Sequence, residues 1–116
     1  MTTCQKAPIN GDLDGQWQVI QVDPDPQVQF PERLYYNFSL HVCSLSYYGG
    51  YFQSANMIYE DDKISLDFPY PNATVGFLTL SLYGINSNPV TFNVHFENHN
   101  RMILYNNEST VVLQRH

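Results

Sequence analysis

Gly15-Gln16-Trp17-Gln18-Val19-Ile20-Gln21-Val22 is the stretch on which the reading of the fold turns. It opens the first strong strand pattern and carries the only tryptophan of the chain. Trp17 and Val19 fall on one face of that strand, because successive side chains alternate across a pleat. Gly11-Asp12-Leu13-Asp14 before it reads as a turn that delivers the chain into the strand, and Asp23-Pro24-Asp25-Pro26 stops it. Each proline there lacks a backbone donor and restrains the residue before it. The rest of the chain is a run of strand-like segments that must close around an apolar interior.

Arg33 to Tyr48 is the longest β-rich run. Leu34, Tyr36, Phe38, Leu40 and Val42 alternate with Tyr35, Asn37, Ser39, His41 and Cys43, which predicts one long strand or two with a bend. Tyr47-Tyr48-Gly49-Gly50-Tyr51 reads as a hairpin with Gly-Gly at its turn. A strand over Tyr51–Tyr59 then meets a polar turn, Glu60-Asp61-Asp62-Lys63, after which Ile64, Leu66 and Phe68 alternate until Pro69-Tyr70-Pro71-Asn72. Gly76 to Ile85 fits a helical turn through Phe77, Leu80 and Tyr83 and a strand through Leu78, Leu80 and Leu82. The expectation leans to a strand ending near Tyr83. Thr91–Glu97, Arg101–Tyr105 and Ser109–Arg115 are strands separated by the turns Asn98-His99-Asn100 and Asn106-Asn107-Glu108, an up-and-down meander. About eight strands with regularly spaced turns and no long helix predict an all-β sandwich or barrel.

The chain has 116 residues, the size of one domain. Charged residues are 14%, below the roughly 25% of ordinary globular chains, whereas aromatics reach 15% with nine tyrosines and seven phenylalanines. Such a composition suits a half-buried pleated surface. The net charge is −6 with only five lysines and arginines, which argues against nucleic acid and against electrostatic docking on anionic lipid, both of which need clustered cations. No apolar run approaches the ~20 residues of a membrane-spanning helix.

Gly15, Gln16 and Trp17 resemble the motif that opens lipocalin and fatty-acid-binding β-barrels. More narrowly, Leu13-Asp14-Gly15-Gln16-Trp17, Tyr83-Gly84-Ile85-Asn86 and the closing Thr110-Val111-Val112-Leu113-Gln114-Arg115 resemble small lipocalin-like domains of Bacteroidetes lipoproteins, over most of residues 11–116. That resemblance implies a small antiparallel up-and-down barrel of about eight strands. It also implies that Trp17 plugs the closed end and that Arg115, from the last strand, packs across it.

Met1 to Pro8 has no periodicity. Residues 1–10 are expected to be a flexible tether ahead of a barrel domain over 11–116. Cys4 looks like the acylated cysteine of a bacterial lipoprotein with its signal processed just upstream. The expected location is therefore the cell envelope, on the periplasmic face or outer surface of the outer membrane, with the membrane contacted only through that lipid. A Cys4–Cys43 disulfide is an alternative for an exported chain, against a buried, inert Cys43.

The chain carries no Gly-rich phosphate loop, no Cys-x-x-Cys and no Gly-x-Ser-x-Gly turn, so no enzyme activity and no cofactor are expected. His95 and His99 are four apart, but across a strand and its turn that spacing gathers no ligands, and no metal site is expected from them or from His41 and His116. Glu60-Asp61-Asp62 lacks the spacing of a calcium loop and reads as a solvated turn. The sequons at Asn37, Asn72 and Asn107 read as incidental.

The aromatic surplus is the functional signal. An eight-stranded barrel is just wide enough to fill with side chains or to hold one small ligand. Tyr36, Phe38, Phe52, Phe68, Phe92 and Phe96 are the candidate interior residues, either lining a pocket or filling the core. The leading expectation is a non-enzymatic binding protein whose ligand is small, mostly apolar, uncharged or cationic, and enters opposite Trp17. Lys6, Arg33, Lys63, Arg101 and Arg115 are the only cations available to a carboxylate. The alternatives are a filled barrel that presents loops to an envelope protein partner, and an accessory or inhibitor subunit of a secreted enzyme.

Overall fold

The computed structural model describes residues 10–116, so the tether expected over residues 1–10, Cys4 included, lies outside the described residues except for Asn10. Eight strands occur in order: β1 (Gly15–Asp23), β2 (Leu34–Ser39), β3 (Val42–Tyr47), β4 (Gly50–Glu60), β5 (Lys63–Asp67), β6 (Val90–Asn98), β7 (Arg101–Tyr105) and β8 (Thr110–Arg115). Each pairs antiparallel with its sequence neighbour, and β8 pairs with β1, so the sheet closes into a barrel. Closure gives every one of the eight strands two neighbours.

The alternation read from the sequence sets the two faces. Trp17, Tyr36, Phe38, Leu45, Ile64, Leu66, Phe92, Leu104 and Leu113 are buried inside. In β1 the register shifts between Val19 and Gln21, a bulge at which Ile20 turns outward and the phase resets so that Val22 is buried.

The long run from Leu34 to Tyr47 is two strands joined by a hairpin turn at Leu40-His41, where Leu40 has φ 54°. The turn reverses the phase: Leu40 and Val42 are exposed, and Cys43 and Leu45 are the inward residues. Gly49, at φ 101°, makes the β3–β4 turn. Asp61 and Asp62, at φ 55° and 58°, make the β4–β5 turn, the pair of positive φ angles that matches strand twist in a two-residue hairpin.

The strand expected to end near Tyr83 is corrected. Residues 80–83 form a 3-10 helix, preceded by an isolated bridge between Val75 and Leu78. The physical reason is closure: β5 and β6 already pair with each other, so the connection between them has no strand edge to join. Its apolar residues Leu78, Leu80, Leu82, Tyr83 and Ile85 are instead buried in the barrel core. Gly84, at φ 82°, ends the helix in the left-handed region, and a Cβ there would collide with Val111.

The turns divide into two sets. Those after β2, β4 and β6, together with the start of β1 and the end of β8, lie at the Trp17 end. The connections after β1, β3, β5 and β7 lie at the other end, and two of them are long: residues 24–33 and residues 68–89. This second end is the mouth.

Trp17 is fully buried. Replacing it with alanine is expected to cost about 3–5 kcal/mol, as for emptying a large aromatic from a core, read from the urea midpoint. A cost below about 1 kcal/mol would reject its role in the core.

Candidate functional site

At the closed end, β1–β8 pairing sets Trp17 opposite Arg115, whose guanidinium carbon lies 4.2 Å from the centroid of the indole ring. The guanidinium also donates to three carbonyls: Nη2 to Asp12 at 2.8 Å, Nη1 to Asp14 at 3.2 Å and Nε to His99 at 3.0 Å. Trp17 Nε1 donates to the Leu13 carbonyl at 2.9 Å. Gly15, at φ 128°, lies so close that a Cβ would stand 3.2 Å from Arg115 Nη1. The glycine, the tryptophan and the arginine are thus one packing unit. Phe96, half-buried, is tilted against Trp17 with ring centroids 6.2 Å apart, so this candidate belongs to the closed end.

The mouth is organised around Tyr83. Its ring stacks on Phe52, with centroids 5.8 Å apart and planes 7° from parallel, and meets Tyr36 edge-on at 5.8 Å. Its hydroxyl donates to the Ser46 carbonyl at 2.6 Å. The Tyr36 hydroxyl donates to the Tyr83 carbonyl, and Ser109 Oγ donates to the Gly84 carbonyl. Tyr36 in turn stacks on Phe38 at 5.8 Å. Of the six candidates, Tyr36 and Phe52 touch Tyr83, Phe38 lies behind Tyr36, and Phe68 and Phe92 are buried in the same core. These five pack into the interior, and none of the six is among the residues walling the grooves described below.

One interior group has no partner. A register shift between Leu45 and Ser46 makes Phe52 an extra residue in β4, and both Phe52 and Gln53 are buried. Gln53 pairs with Leu45, which is fully buried, so its side chain shares the inward face. Gln53 is 5% exposed, and neither its amide oxygen nor its amide nitrogen has a hydrogen-bond partner. Leaving such a group unsatisfied costs about 1–3 kcal/mol. Among the described residues the other buried polar groups, on Ser109, Tyr36, Tyr83 and Trp17, are all hydrogen-bonded.

Two solvent-open grooves lie at the mouth, one between the 24–33 and 68–89 connections and one between β1 and the 24–33 connection, with Leu82 in both. One, about 480 Å³, is walled by Val22, Pro26, Val28, Phe77 and Leu82. The other, about 310 Å³, shares Val22, Val28 and Leu82 and adds Phe30 and Leu34. Phe30 packs edge-on against both Tyr47 and Phe77, while Phe77 and Val28 remain half exposed. A third groove, about 480 Å³, lies along the outer side of residues 71–88.

All four histidines and the Glu60-Asp61-Asp62 turn are exposed, and no cluster of three metal-ligating side chains occurs among the described residues. Cys43 is a buried free thiol; any pairing with Cys4 falls outside the described residues. Asn37 is half-buried on the outer face, donating to the Ser44 carbonyl and to Ser46 Oγ. Tyr83-Gly84 was visible in the sequence as a motif, though not as the residue that stops the barrel. Gln53 lies in phase with the buried Ala55 and Met57, so its inward direction follows the alternation of β4; only the inward turn of Phe52 depends on the bulge beside it.

The family described as the lipocalin-like domain matches residues 1–116. No curated protein matches the chain. Two solved structures are similar in fold. A lipocalin-like protein from Bacteroides uniformis has a TM-score of 0.66 and 18% identity over 91% of this chain and 100% of that one. An uncharacterized protein from Bacteroides eggerthii has a TM-score of 0.62 and 20% identity over 89% and 98% of the two chains.

Burial raises the pKa of Tyr36 well above its ordinary value, and raises those of Tyr83 and Cys43 too. In each the fold favours the neutral form, so the stabilisation is whole below the unfolded-chain pKa and is lost as pH rises past it. Unfolded thiols and phenols titrate near about 8.5 and 10. The urea midpoint should therefore hold between about pH 6 and 8 and fall steeply above about pH 10; a midpoint unchanged at about pH 11 would contradict this burial.

Proposed function

We propose that the chain, which belongs to the lipocalin-like domain family, is a non-catalytic binding module tethered to the cell envelope through Cys4. Its ligand is small, mostly apolar, uncharged or cationic, and meets the protein at the mouth. The observation that carries this reading is the groove of about 480 Å³ walled by Val22, Val28, Phe77 and Leu82 at the end opposite Trp17, a volume in the range of small-molecule sites. The charge distribution supports the ligand class. Arg33 is the one cation among the residues walling the two mouth grooves, and it is exposed, so a carboxylate would lose hydration without a buried counter-charge.

The tether supports the orientation. Cys4 precedes Asn10 by six residues, a reach of about 20 Å when fully extended. Asn10 is held at the Trp17 end, where its Nδ2 donates to the Leu40 carbonyl at 2.9 Å. A lipid on Cys4 therefore keeps the closed end near the bilayer and points the mouth away from it. A second reading, a structural or protein-interaction module, is favoured by the filled interior and by the exposed Tyr70, Phe77 and Val28 around the mouth. An accessory or inhibitor role toward a secreted enzyme would use the same loops.

The ligand reading is tested with N-phenyl-1-naphthylamine, a neutral aromatic amine that brightens on entering an apolar site. It should bind saturably and raise Tm by several degrees at a hundred times its Kd, where binding contributes ~2.7 kcal/mol. Phe77→Ser should weaken binding by about tenfold, while lauric acid should give no comparable shift. Tight lauric acid binding that survives Arg33→Gln would contradict the charge argument. If no apolar compound stabilises the protein, the interaction module is the better reading.

The anchor is tested in the native host with its own export signal. The protein should fractionate with membranes and the Cys4→Ser variant should be released. A Cys4→Ser protein that stays with the membranes would place the anchor elsewhere.

A further inference from the structure

Resting on the reading of the mouth as the ligand end, we propose that Tyr83 is an internal stand-in for a ligand. It occupies an inner seat made for a neutral aromatic molecule that carries a hydrogen-bond donor and a second polar group. The seat has a defined chemistry. Phe52 offers a face at 5.8 Å and Tyr36 an edge at the same distance. The Ser46 carbonyl accepts a hydrogen bond from the tyrosine hydroxyl, and the Tyr36 hydroxyl donates one to the Tyr83 main chain. These contacts come from β2, β3 and β4, whereas Tyr83 is delivered by the β5–β6 connection. The occupant of the seat is thus carried on a short 3-10 turn with no strand pairing of its own.

Beside Phe52 in β4, on the same inward face, stands a polar side chain that Tyr83 does not partner. Gln53, next to Phe52 in β4, is 5% exposed with both polar atoms of its amide unpartnered. An interior made only to be filled would gain by an apolar residue here, since a buried amide without partners is unfavourable. The amide is explained if the seat takes another molecule whose polar group reaches it. That molecule is neutral, because among the described residues no charged side chain is buried. It stacks on Phe52, gives its donor to the Ser46 carbonyl and meets the Gln53 amide, while the 80–85 segment lifts into the mouth where Leu82 already walls the groove. Tyr83 therefore competes with the ligand, and apparent affinity falls by the fraction of time the seat is taken.

The probe is 4-hydroxybenzamide, which joins a phenol to an amide, with p-cresol as the phenol that lacks the amide. Both are titrated by thermal shift and isothermal calorimetry. Tyr83→Ala, which removes the competitor, should bind 4-hydroxybenzamide at least about tenfold tighter than the wild type. Adding Gln53→Met to Tyr83→Ala should weaken 4-hydroxybenzamide about tenfold, as for one lost hydrogen bond, and leave p-cresol unchanged. Gln53→Met alone should raise the Tm of the free protein. In the wild type, 4-hydroxybenzamide should speed hydrogen exchange at the amides of Leu82, Gly84 and Ile85, which bond within the segment. If Tyr83→Ala does not fold, Ser109→Ala loosens the same segment by freeing the Gly84 carbonyl, and the same order of affinities is expected at smaller size. Equal loss of both probes on Gln53→Met, or 4-hydroxybenzamide binding that slows exchange at residues 82–85, overturns the proposal. If N-phenyl-1-naphthylamine binds in a Phe77-dependent way while these arms fail, the mouth reading stands and only the inner seat is wrong.

Discussion

Closure of the sheet between β1 and β8 is the constraint that governs both ends of the barrel. The pairing sets Trp17 opposite Arg115, and the guanidinium ties the approach to β1, the β6–β7 turn and the indole ring into one end-cap through three main-chain carbonyls. A charged group that donates to carbonyls while covering an aromatic face satisfies its hydrogen bonds and its packing together. The positive φ of Gly15 and its closeness to Arg115 show why a glycine stands two residues before the tryptophan: a side chain there would crowd the arginine and strain the backbone.

Closure also decides the fate of the β5–β6 connection. With two neighbours beside every strand, the apolar segment over residues 78–85 hides its side chains by folding onto the open end of the barrel. Its leucines, Tyr83 and Ile85 complete the core from above. One consequence is a barrel whose interior is occupied by its own chain. Another is a division of labour between ends: the Trp17 end is dense and tied by the arginine, while the mouth is built from two long connections and holds solvent-open apolar grooves. Connections of that length on a rigid frame are where binding surfaces are ordinarily carried.

The tension inside the barrel lies at Gln53. Gln53 faces the core in phase with Ala55 and Met57, and the bulge turns Phe52 inward beside it. Phe52 is matched by the stacked ring of Tyr83, and Gln53 by nothing. A core otherwise filled by apolar and aromatic side chains thus keeps one polar group whose cost the fold itself does not offset.

The strands were legible in the sequence, because period-2 alternation is a local signal: β1, β5, β6, β7 and β8 stand close to where Gly15–Val22, Ile64–Phe68, Thr91–Glu97, Arg101–Tyr105 and Ser109–Arg115 placed them. Gly15-x-Trp17 and the terminal Arg115 also pointed to the lipocalin-like family and to an eight-stranded barrel. Of the six aromatics named as interior candidates, the structure buries Tyr36, Phe38, Phe52, Phe68 and Phe92, with Phe52 turned inward by the bulge and not by alternation. Tertiary contacts alone set the phase reversal at Leu40, the 3-10 turn over 80–83 and the place of Tyr83 among those aromatics. Each depends on how segments pair and not on the pattern of one strand: a hairpin that turns Cys43 inward, a closed sheet that refuses a ninth strand, and a bulge that directs Phe52 into the core. Periodicity records which way a side chain points along one strand. It carries no information on what stands across the barrel, and that decides whether an interior is empty or filled.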